Sequence, residues 1–243
     1  MSSFEDYYNG FYKELSKLDE VGNTFSKIES FLPILKGDEQ FLDIGCGHGG
    51  VSGELVKRGY KVSGIEINKD AIESLKLKGF EVYQKDISKP LEIDKKFDIV
   101  MMLDVLEHMF DPYSLLKEAK QVVKKEGGVI IVTVPLYFDI VDRFKILFTG
   151  SVISMDNLCY GEENYKKFRS YNYDHIRFFR PSEMVEMGES LGLKVDRVEY
   201  KAIGYGGSYK ILKLLIKLIS NKHTVNINPN LLAHSMKIRW IVD

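Results

Sequence analysis

Hydrophobic residues between positions 40 and 134 occur in short runs that alternate with longer amphipathic segments. A short apolar run bounded by glycine or polar residues is typical of a buried strand, whereas apolar residues three and four apart are typical of a helix. The pattern predicts strands over 41–44, 61–65, 80–84, 97–103 and 129–134, and helices over 51–58, 69–78 and 113–125. This alternation predicts an α/β fold with a mostly parallel sheet and helices on both faces.

The flanking segments extend this pattern at both ends. Apolar residues at helical spacing within 1–38 predict two short N-terminal helices. Beyond residue 180 the pattern predicts one helix and two strands, over 181–191, 194–200 and 236–242. The segment 136–180 has no clear period, and we interpret it and the segment 203–235 as insertions into a single domain of 243 residues.

Composition and charge are those of an ordinary folded domain. Hydrophobic residues make up 44% of the chain and charged residues 28%, with 34 basic side chains against 35 acidic ones. The resulting net charge of -1 gives no general attraction to polyanions. We therefore expect no nucleic-acid partner.

Cysteine content and hydropathy bear on the cellular compartment. The two cysteines, Cys46 and Cys159, are too few for a disulfide framework, and we expect both to be reduced thiols. The first residues show no basic region followed by an apolar run, and no stretch has the length of a membrane span. The sequence therefore predicts a cytoplasmic protein and leaves its oligomeric state open.

A glycine-rich loop follows the first predicted strand. It has the sequence DIGCGHGG over 43–50 and ends where the next helix begins. Glycine lets such a loop turn tightly and approach a ligand without a Cβ in the way. Glu66 ends the second predicted strand, where an acidic side chain can accept hydrogen bonds from ribose hydroxyls. The loop and this acid together indicate a nucleoside-containing ligand.

The spacing of this loop differs from that of nicotinamide-binding loops. Its glycines follow the pattern Gly-x-Gly-x-Gly, not Gly-x-Gly-x-x-Gly, and Asp43 precedes the first of them. A carboxylate at this position would repel a pyrophosphate and attract the ammonium group of a methionine moiety. The spacing therefore disfavours a nicotinamide oxidoreductase.

Two further aspartates follow later strands. Asp86 comes just after the third strand, where it suits an adenine amino group, and Asp104 ends the fourth strand. Each of them alone is equally well explained as a turn or helix-cap residue. Acidic residues at four successive strand ends nevertheless favour a shared ligand site.

From about Gln40 to Val242 the chain resembles the class I methyltransferases. The loop FLDIGCGHGG is similar to the first motif of that family, Glu66 to its second-strand acid, and QKDI at 84–87 to its adenine motif. The resemblance implies S-adenosylmethionine as cofactor and a Rossmann-like seven-stranded sheet that ends in an antiparallel hairpin. The cofactor-binding residues it implies are Asp43, Gly45, Cys46, Gly47, Gly49, Glu66, Ile67, Asp86, Ile87 and Leu103.

A candidate metal site follows the fourth predicted strand. If a helix starts near Asp104, then Glu107 and His108 share one face with it, because residues three and four apart are neighbours on a helix. Carboxylate and imidazole groups in this arrangement suit a divalent cation such as magnesium or manganese. The alternative is structural: Asp104-x-x-Glu107 also matches a capping box with aspartate in the cap position.

His175 adds a fourth candidate ligand from a distant segment. Together with the Glu107–His108 pair it resembles the Glu-x-x-Glu-His motif and later Asp-His of small-RNA terminal 2′-O-methyltransferases. The Glu-His element is also similar to that of ubiquinone-pathway O-methyltransferases. The resemblance implies a metal held by Asp104, Glu107, His108 and His175, although aspartate replaces the first glutamate here. The alternative is catalysis by Asp104, His108 and His175 without metal, with His175 as the base.

The chemistry of methyl transfer favours oxygen as the acceptor atom. A sulfonium methyl group is already activated, so the enzyme must align the acceptor and help it lose a proton. An aliphatic hydroxyl needs a metal or a base for this step far more than an amine does. The segments DHIRFFRPSE and NPNLLAHSMKIRWIV resemble methyltransferases of surface-glycan pathways. We therefore expect a small-molecule, glycan or sugar-nucleotide acceptor.

The two insertions, 136–180 and 203–235, are expected to form a cap on the acceptor side. The first is rich in aromatic and basic residues, which suit a sugar, a nucleotide or an anionic small molecule. Within the second, an amphipathic helix over 209–219 places Lys210, Lys213 and Lys217 in one stripe. This stripe is either the solvent-facing side of a packed helix or a peripheral membrane contact.

Two alternatives to a small-molecule methyltransferase stay open. An RNA methyltransferase acting on a terminal ribose would use the same candidate metal residues, but the balanced charge opposes it. A non-catalytic adenosylmethionine-binding module would keep the glycine loop and lose the catalytic residues. The presence of the acids at the strand ends and of His175 opposes a non-catalytic binding module.

Overall fold

A computed structural model describes residues 25–149, 175–203 and 210–243. Its strands are β1 (Gln40–Ile44), β2 (Lys61–Glu66), β3 (Glu81–Gln84), β4 (Ile99–Leu103), β5 (Gly128–Pro135), β6 (Lys194–Ala202) and β7 (Ala233–Val242). Its helices are α1 (Ser26–Glu29), α2 (Ser52–Lys57), α3 (Lys69–Leu77), α4 (Pro112–Val122), α5 (Ile140–Thr149), α6 (Pro181–Ser190), α7 (Lys210–Ile219) and α8 (Pro229–Leu232). Two 3₁₀ turns span Leu106–His108 and Thr224–Asn226.

The strands form one seven-stranded sheet in the order β3-β2-β1-β4-β5-β7-β6. Strands β1 to β5 are parallel to their neighbours, whereas β7 runs antiparallel to both β5 and β6. This confirms the predicted α/β fold with its terminal antiparallel hairpin. The strand order reverses between β1 and β4, and in such sheets the carboxyl ends of these two strands border the ligand crevice.

Both faces of the sheet are covered, which explains the unbroken apolar runs of its central strands. Along β1, Leu42 and Ile44 belong to one hydrophobic cluster and Phe41 to a second. Because successive side chains of a strand point to opposite faces, these clusters lie on opposite sides of the sheet. The central strands therefore hold their carboxyl ends in a rigid frame.

Capping residues explain where two of the core helices begin. The Asn68 side chain accepts a hydrogen bond from the backbone amide of Ala71 at 2.8 Å and starts α3. The Asp111 side chain accepts one from the amide of Ser114 at 3.0 Å, and Pro112 occupies the first turn of α4. Short polar side chains commonly satisfy the free amides of a first turn in this way.

Two predicted boundaries in the centre of the chain are wrong. The helix predicted over 113–125 ends at Val122, and the strand predicted over 97–103 begins at Ile99. One pairing explains both differences, because Val123 leaves the helix to form an isolated parallel bridge with Phe97.

The terminal segment and the insertions are described in part. Of the predicted N-terminal helices within 1–38, the second is seen as α1, and the first lies outside the described residues, as does Cys159. The insertion 136–180 contains α5, although no period was evident in its sequence, and the insertion 203–235 contains α7 and α8. Within the described residues, every helix is too short or too polar to cross a membrane.

Helix α7 (Lys210–Ile219) confirms the predicted helix, and its described side chains are apolar as well as basic at the surface. Leu214, Leu215, Leu218 and Ile219 are exposed alongside Lys217, while Ile216 is buried. If the predicted lysine stripe were only the solvent-facing side of a packed helix, these four apolar side chains would be expected to be buried. Peripheral membrane contact through 209–219 stays a prediction.

Candidate functional site

A cavity of about 680 Å³ lies at the carboxyl ends of the parallel strands. This volume includes space that is open to solvent. Its lining includes four of the acids and glycines singled out in the sequence, namely Gly45, Glu66, Asp86 and Asp104. Apolar and flanking residues complete it: Ile65, Ile67, Lys85, Ile87, Ser88, Val105, His108, Met109 and Phe110.

Glu66 is buried in this wall and is held by backbone amides. Its carboxylate accepts hydrogen bonds from the amides of Gly47 at 2.9 Å, Ile67 at 2.8 Å and Asn68 at 2.8 Å. Such charge-assisted bonds are stronger than neutral ones and fix the direction of the carboxylate. The glycine loop and the end of β2 are thus joined through one side chain at the edge of the cavity.

The glycines of the loop serve different purposes. Gly45 has φ +70° and borders the cavity, and a Cβ there would lie 3.0 Å from a methyl group of Val105. Gly49 has φ +73°, and a Cβ there would lie 2.7 Å from Leu75 of α3. The first glycine therefore shapes the cavity, whereas Gly49 permits close packing of the loop on a neighbouring helix.

Asp43, in β1, is buried outside the lining of the cavity and accepts a hydrogen bond from the hydroxyl of Ser52. Burial raises the pKa of Asp43 to about 7, and the nearby Glu66 carboxylate adds to the increase while the Ser52 bond opposes it. A nearby cation would lower this raised pKa, because the positive charge stabilises the carboxylate form of Asp43.

Cys46 and Leu103 were also predicted to contact a cofactor; the structure buries Cys46 in the core and leaves Leu103 partly buried against it. The Cys46 thiol lies 3.6 Å from the Ile65 carbonyl oxygen, and burial raises the pKa of Cys46 well above its usual value. Leu103 packs against the hydrophobic cluster on the same side of the sheet. Neither is among the residues that line the cavity.

Asp86 combines a turn and a place in the cavity wall. Its carboxylate accepts hydrogen bonds from the amide and the hydroxyl of Ser88 at 2.9 and 2.6 Å, as in an Asx turn. Burial alone would raise the pKa of Asp86, but the bonds from Ser88 and the charge of Lys89 hold it below its ordinary value. Asp86 is therefore a negatively charged acceptor at the mouth of the cavity.

The predicted helix starting at Asp104 is wrong, and so is the capping-box alternative. Asp104 has φ +55°, and the 3₁₀ turn that follows has Val105 in the cap position with no side-chain cap. The Asp104 carboxylate instead accepts a hydrogen bond from the Thr133 hydroxyl at 2.8 Å, and its amide donates to that same oxygen at 2.9 Å. These bonds from β5 stabilise a left-handed conformation that aspartate tolerates better than most residues.

Glu107, His108 and His175 nevertheless meet beside the cavity. One possible ligand atom from each of them lies within 4.8 Å of the others, and the carboxylate of Glu107 is fully buried. His175 Nε2 lies 4.0 Å from Glu107 Oε1, and the rings of His108 and His175 have centroids 4.6 Å apart. Asp104 does not belong to this cluster, so the predicted set of four is reduced to three.

Backbone hydrogen bonds bring His175 to the cluster from a distant part of the chain. The amides of Ile176 and Arg177 both donate to the Glu107 carbonyl oxygen, at 2.9 and 3.0 Å. Beyond them, Phe179 forms a parallel bridge with Leu136, directly after β5. The segment that carries His175 is therefore anchored on both the 3₁₀ turn and the sheet.

Tyr137 is a site residue that the sequence did not distinguish from the other aromatic residues of its insertion. Its hydroxyl forms a hydrogen bond with His175 Nδ1. Its ring lies edge-on to that of Phe178, with centroids 4.9 Å apart. The available indication was its position two residues after the end of β5, at the carboxyl edge of the sheet.

A second cavity, of about 1000 Å³ including space open to solvent, is lined in part by Tyr137. Phe138 and Phe178 contribute aromatic rings to its wall, and Arg143 contributes a cation. Arg143 Nε donates to the Phe138 carbonyl oxygen at 2.7 Å, whereas Arg180 at the same cavity is paired with Glu183 at 2.7 Å. The second cavity thus offers aromatic faces with a fixed guanidinium group.

Comparison with known proteins identifies the family. A model described as a methyltransferase domain matches residues 18–198. A ubiquinone biosynthesis O-methyltransferase of Colwellia psychrerythraea is 30% identical over 164 residues, which are 65% of this chain and 61% of that protein. One of Aeromonas salmonicida is 29% identical over 164 residues, 65% of this chain and 63% of that protein. The matched part is less than two thirds of the length of these relatives.

Solved structures agree at the level of the fold. A SAM-dependent methyltransferase from Archaeoglobus fulgidus has a TM-score of 0.61 and 19% identity, covering 95% of this chain and 99% of its own. One from Thermotoga maritima, described as a possible histamine N-methyltransferase, has a TM-score of 0.60 and 18% identity. The match covers 99% of this chain and 98% of that protein. The family match, the seven-stranded sheet and the acid-lined cavity lead to one conclusion: this chain belongs to the class I S-adenosylmethionine-dependent methyltransferases.

Proposed function

We propose that this protein methylates an oxygen atom of a small-molecule or glycan-type acceptor. The observation that carries the proposal is the cluster of Glu107, His108 and His175, which reaches the cofactor cavity through His108. A hydroxyl must lose its proton as the methyl group is transferred, and a positioned imidazole is the most common protein group for that task. An amine acceptor would need such a base less.

The residues of the first cavity fit S-adenosylmethionine, which when bound supplies an activated methyl group. Glu66 is fixed at the cavity edge and would accept hydrogen bonds from the ribose hydroxyls. Asp86 would accept from the adenine amino group, between the apolar side chains of Ile67 and Ile87. Asp43, buried in β1, would favour the ammonium group by its negative charge.

His175 is proposed to accept the acceptor proton. Its ring is mostly buried and lies beside the Glu107 carboxylate, whose negative charge would stabilise the imidazolium that forms. His108 separates this pair from the cofactor cavity and would keep the acceptor oxygen near the methyl group. Alignment of this kind contributes to catalysis by holding the reacting atoms close before the reaction begins.

The second cavity supports a polar, ring-shaped acceptor. Aromatic faces at Phe138 and Phe178 suit the apolar face of a sugar or a base, and Arg143 suits a phosphate or carboxylate group. A glycan or sugar-nucleotide acceptor meets both requirements. The names of the relatives are consistent with oxygen as the acceptor atom, although those proteins are longer than the matched region.

A divalent cation is a second candidate for activating the acceptor. Glu107, His108 and His175 present one carboxylate and two imidazoles within 4.8 Å, and this set of groups suits magnesium or manganese less well than oxygen ligands alone would. A metal-dependent RNA terminal 2′-O-methyltransferase would use the same cluster. The balanced charge of the chain gives such an RNA substrate no general electrostatic attraction.

Transfer of a labelled methyl group to a panel of acceptors tests the proposal. The panel contains sugars, sugar nucleotides, phenols, amines and a short RNA. We expect label on a hydroxyl compound, and His175→Ala should lower kcat by about 10²-fold or more while S-adenosylhomocysteine binding is unchanged. His223→Ala, an exposed histidine far along the chain, is the matched control.

Chelation separates the two ways of activating the acceptor. With His175 as the base, turnover is unaffected by chelator, whereas a cation-dependent enzyme stops and regains activity on addition of magnesium or manganese. Label on amines alone, or full activity of His175→Ala, would contradict the proposed function.

A further inference from the structure

Tyr137 is hydrogen-bonded to one nitrogen of the His175 ring, and Glu107 lies near the other. The Tyr137 hydroxyl is hydrogen-bonded to Nδ1, and the Glu107 carboxylate lies 4.0 Å from Nε2. A neutral imidazole carries one proton, so one nitrogen donates and the other accepts. The direction of the Tyr137 bond therefore decides which side of His175 can receive a proton.

The surroundings of the ring favour a proton on Nε2. Glu107 is fully buried, and a carboxylate that close to Nε2 stabilises a proton on that nitrogen. Nδ1 must then accept, and a phenol hydroxyl is able to donate to it. Both neighbours thus select the same tautomer, with Nε2–H directed to Glu107 and Tyr137 donating to Nδ1.

We infer that Tyr137 fixes the tautomer and the orientation of His175 and relays the acceptor proton to it, an inference that rests on the proposed role of His175 as the base. Neutral His175 then receives a proton at Nδ1, on the side of the second cavity, which Tyr137 also lines. The acceptor proton passes to the Tyr137 oxygen as the Tyr137 proton passes to Nδ1. Glu107 offsets the positive charge left on the imidazolium.

The ring of Tyr137 is held independently of its hydroxyl, which makes a clean substitution available. Its edge-on contact with Phe178 is kept in Tyr137→Phe, so this variant removes the hydrogen bond and little packing. Tyr83→Phe is the matched control, because the Tyr83 hydroxyl bonds to Glu81 at 2.9 Å, away from both cavities.

Nuclear magnetic resonance of ¹⁵N-histidine-labelled protein reads the tautomer directly. The spectra are recorded at about pH 8, where a histidine of ordinary affinity for protons is neutral, with chelator and S-adenosylhomocysteine present. The chain has 5 histidines, and the His175 signals are assigned from their loss in His175→Gln. We expect a proton on Nε2 and a hydrogen-bonded, unprotonated Nδ1 in the wild type and in Tyr83→Phe.

In Tyr137→Phe the Nδ1 signal should move toward that of a nitrogen without a donor, and the share of the Nδ1–H tautomer should rise. A proton on Nδ1 in the wild type, or identical His175 signals in Tyr137→Phe, would overturn the inference. If Tyr137→Phe does not fold, the wild-type Nδ1 signal decides instead: a hydrogen-bonded, unprotonated Nδ1 supports the inference, and an Nδ1 without a donor overturns it. Failure of the wild type to bind S-adenosylhomocysteine counts against the proposed function instead, and the tautomer is still measured.

Discussion

Asp43 is the residue whose ionisation is most closely coupled to the proposed ligand. Burial in β1 raises its pKa to about 7, so the carboxyl group is partly neutral near physiological pH. This pKa lies above that of an aspartate in the unfolded chain. The contribution of Asp43 to folding stability is therefore complete below about pH 4 and is lost as the pH rises through about 7. A bound ammonium group would reverse this loss by stabilising the carboxylate.

Binding of S-adenosylhomocysteine should therefore weaken as the pH falls. Below a pKa of about 7 the charged form of Asp43 becomes scarce, and we expect Kd to be about tenfold higher at pH 6 than at pH 8. Calorimetry at both pH values measures this ratio. Asp43→Asn should flatten the dependence, whereas Asp98→Asn, whose carboxylate pairs with Lys124, should preserve it. Equal Kd values at the two pH values in the wild type would show that the charge of Asp43 does not affect ligand binding.

Among the secondary-structure elements, helix α6 illustrates how closely the outer helices pack on the sheet. Gly188 of α6 is buried against the fully buried Trp240 of β7, and a Cβ added at Gly188 would lie 2.3 Å from Trp240 Nε1. A helix normally loses stability through an internal glycine. Here the missing side chain lets the helix approach the indole, and this packing keeps α6 and the preceding segment in place beside the second cavity.

Gly188→Ala should lower the free energy of unfolding by about 1–3 kcal/mol, because the added methyl group overlaps an immobile ring. Urea denaturation monitored by circular dichroism measures the change. Gly53 in α2 has nothing within 4 Å of the equivalent position, so Gly53→Ala should raise stability by about 0.4–1 kcal/mol. Equal midpoints for the two variants would be incompatible with this packing.

At the scale of the whole molecule, the sheet borders the cavity that fits the cofactor, and the insertions are proposed to lie on the acceptor side. Strand β5 is paired along its length with β4 and β7, and its residues are largely buried. Helix α5 follows it immediately and leaves Phe144, Leu147 and Phe148 exposed. The insertion from which α5 comes is predicted to close over the acceptor.

Hydrogen exchange should be faster in the insertion helix α5 than in the central strand β5. Amides of α5 are expected to exchange at least about tenfold faster than those of β5, because local opening of an exposed helix costs less than opening of a central strand. Mass spectrometry of peptides covering 128–135 and 140–149 provides the comparison. Equally slow exchange in the two segments would contradict a closing role for this part of the insertion.

Much of the fold could be predicted because its causes are local in the sequence. Buried parallel strands such as β1 need apolar side chains on both faces, and helices such as α3 show an apolar stripe and a capping residue. The boundary near Val123 could not be predicted, because it depends on a bridge to Phe97. Similarly, Asp104 departs from its predicted helix because Thr133 on β5 holds its backbone and side chain.

By itself, the sequence determined the strand–helix order, the glycine loop and the acids at the strand ends, since each depends on residues close together along the chain. The family resemblance predicted that His175 meets Glu107, whereas the tertiary structure alone decided that Asp104 stands apart from them and that Tyr137 contacts His175. The reason is physical: these contacts join segments brought together by backbone bonds and sheet pairing, whose partners lie far apart in the chain.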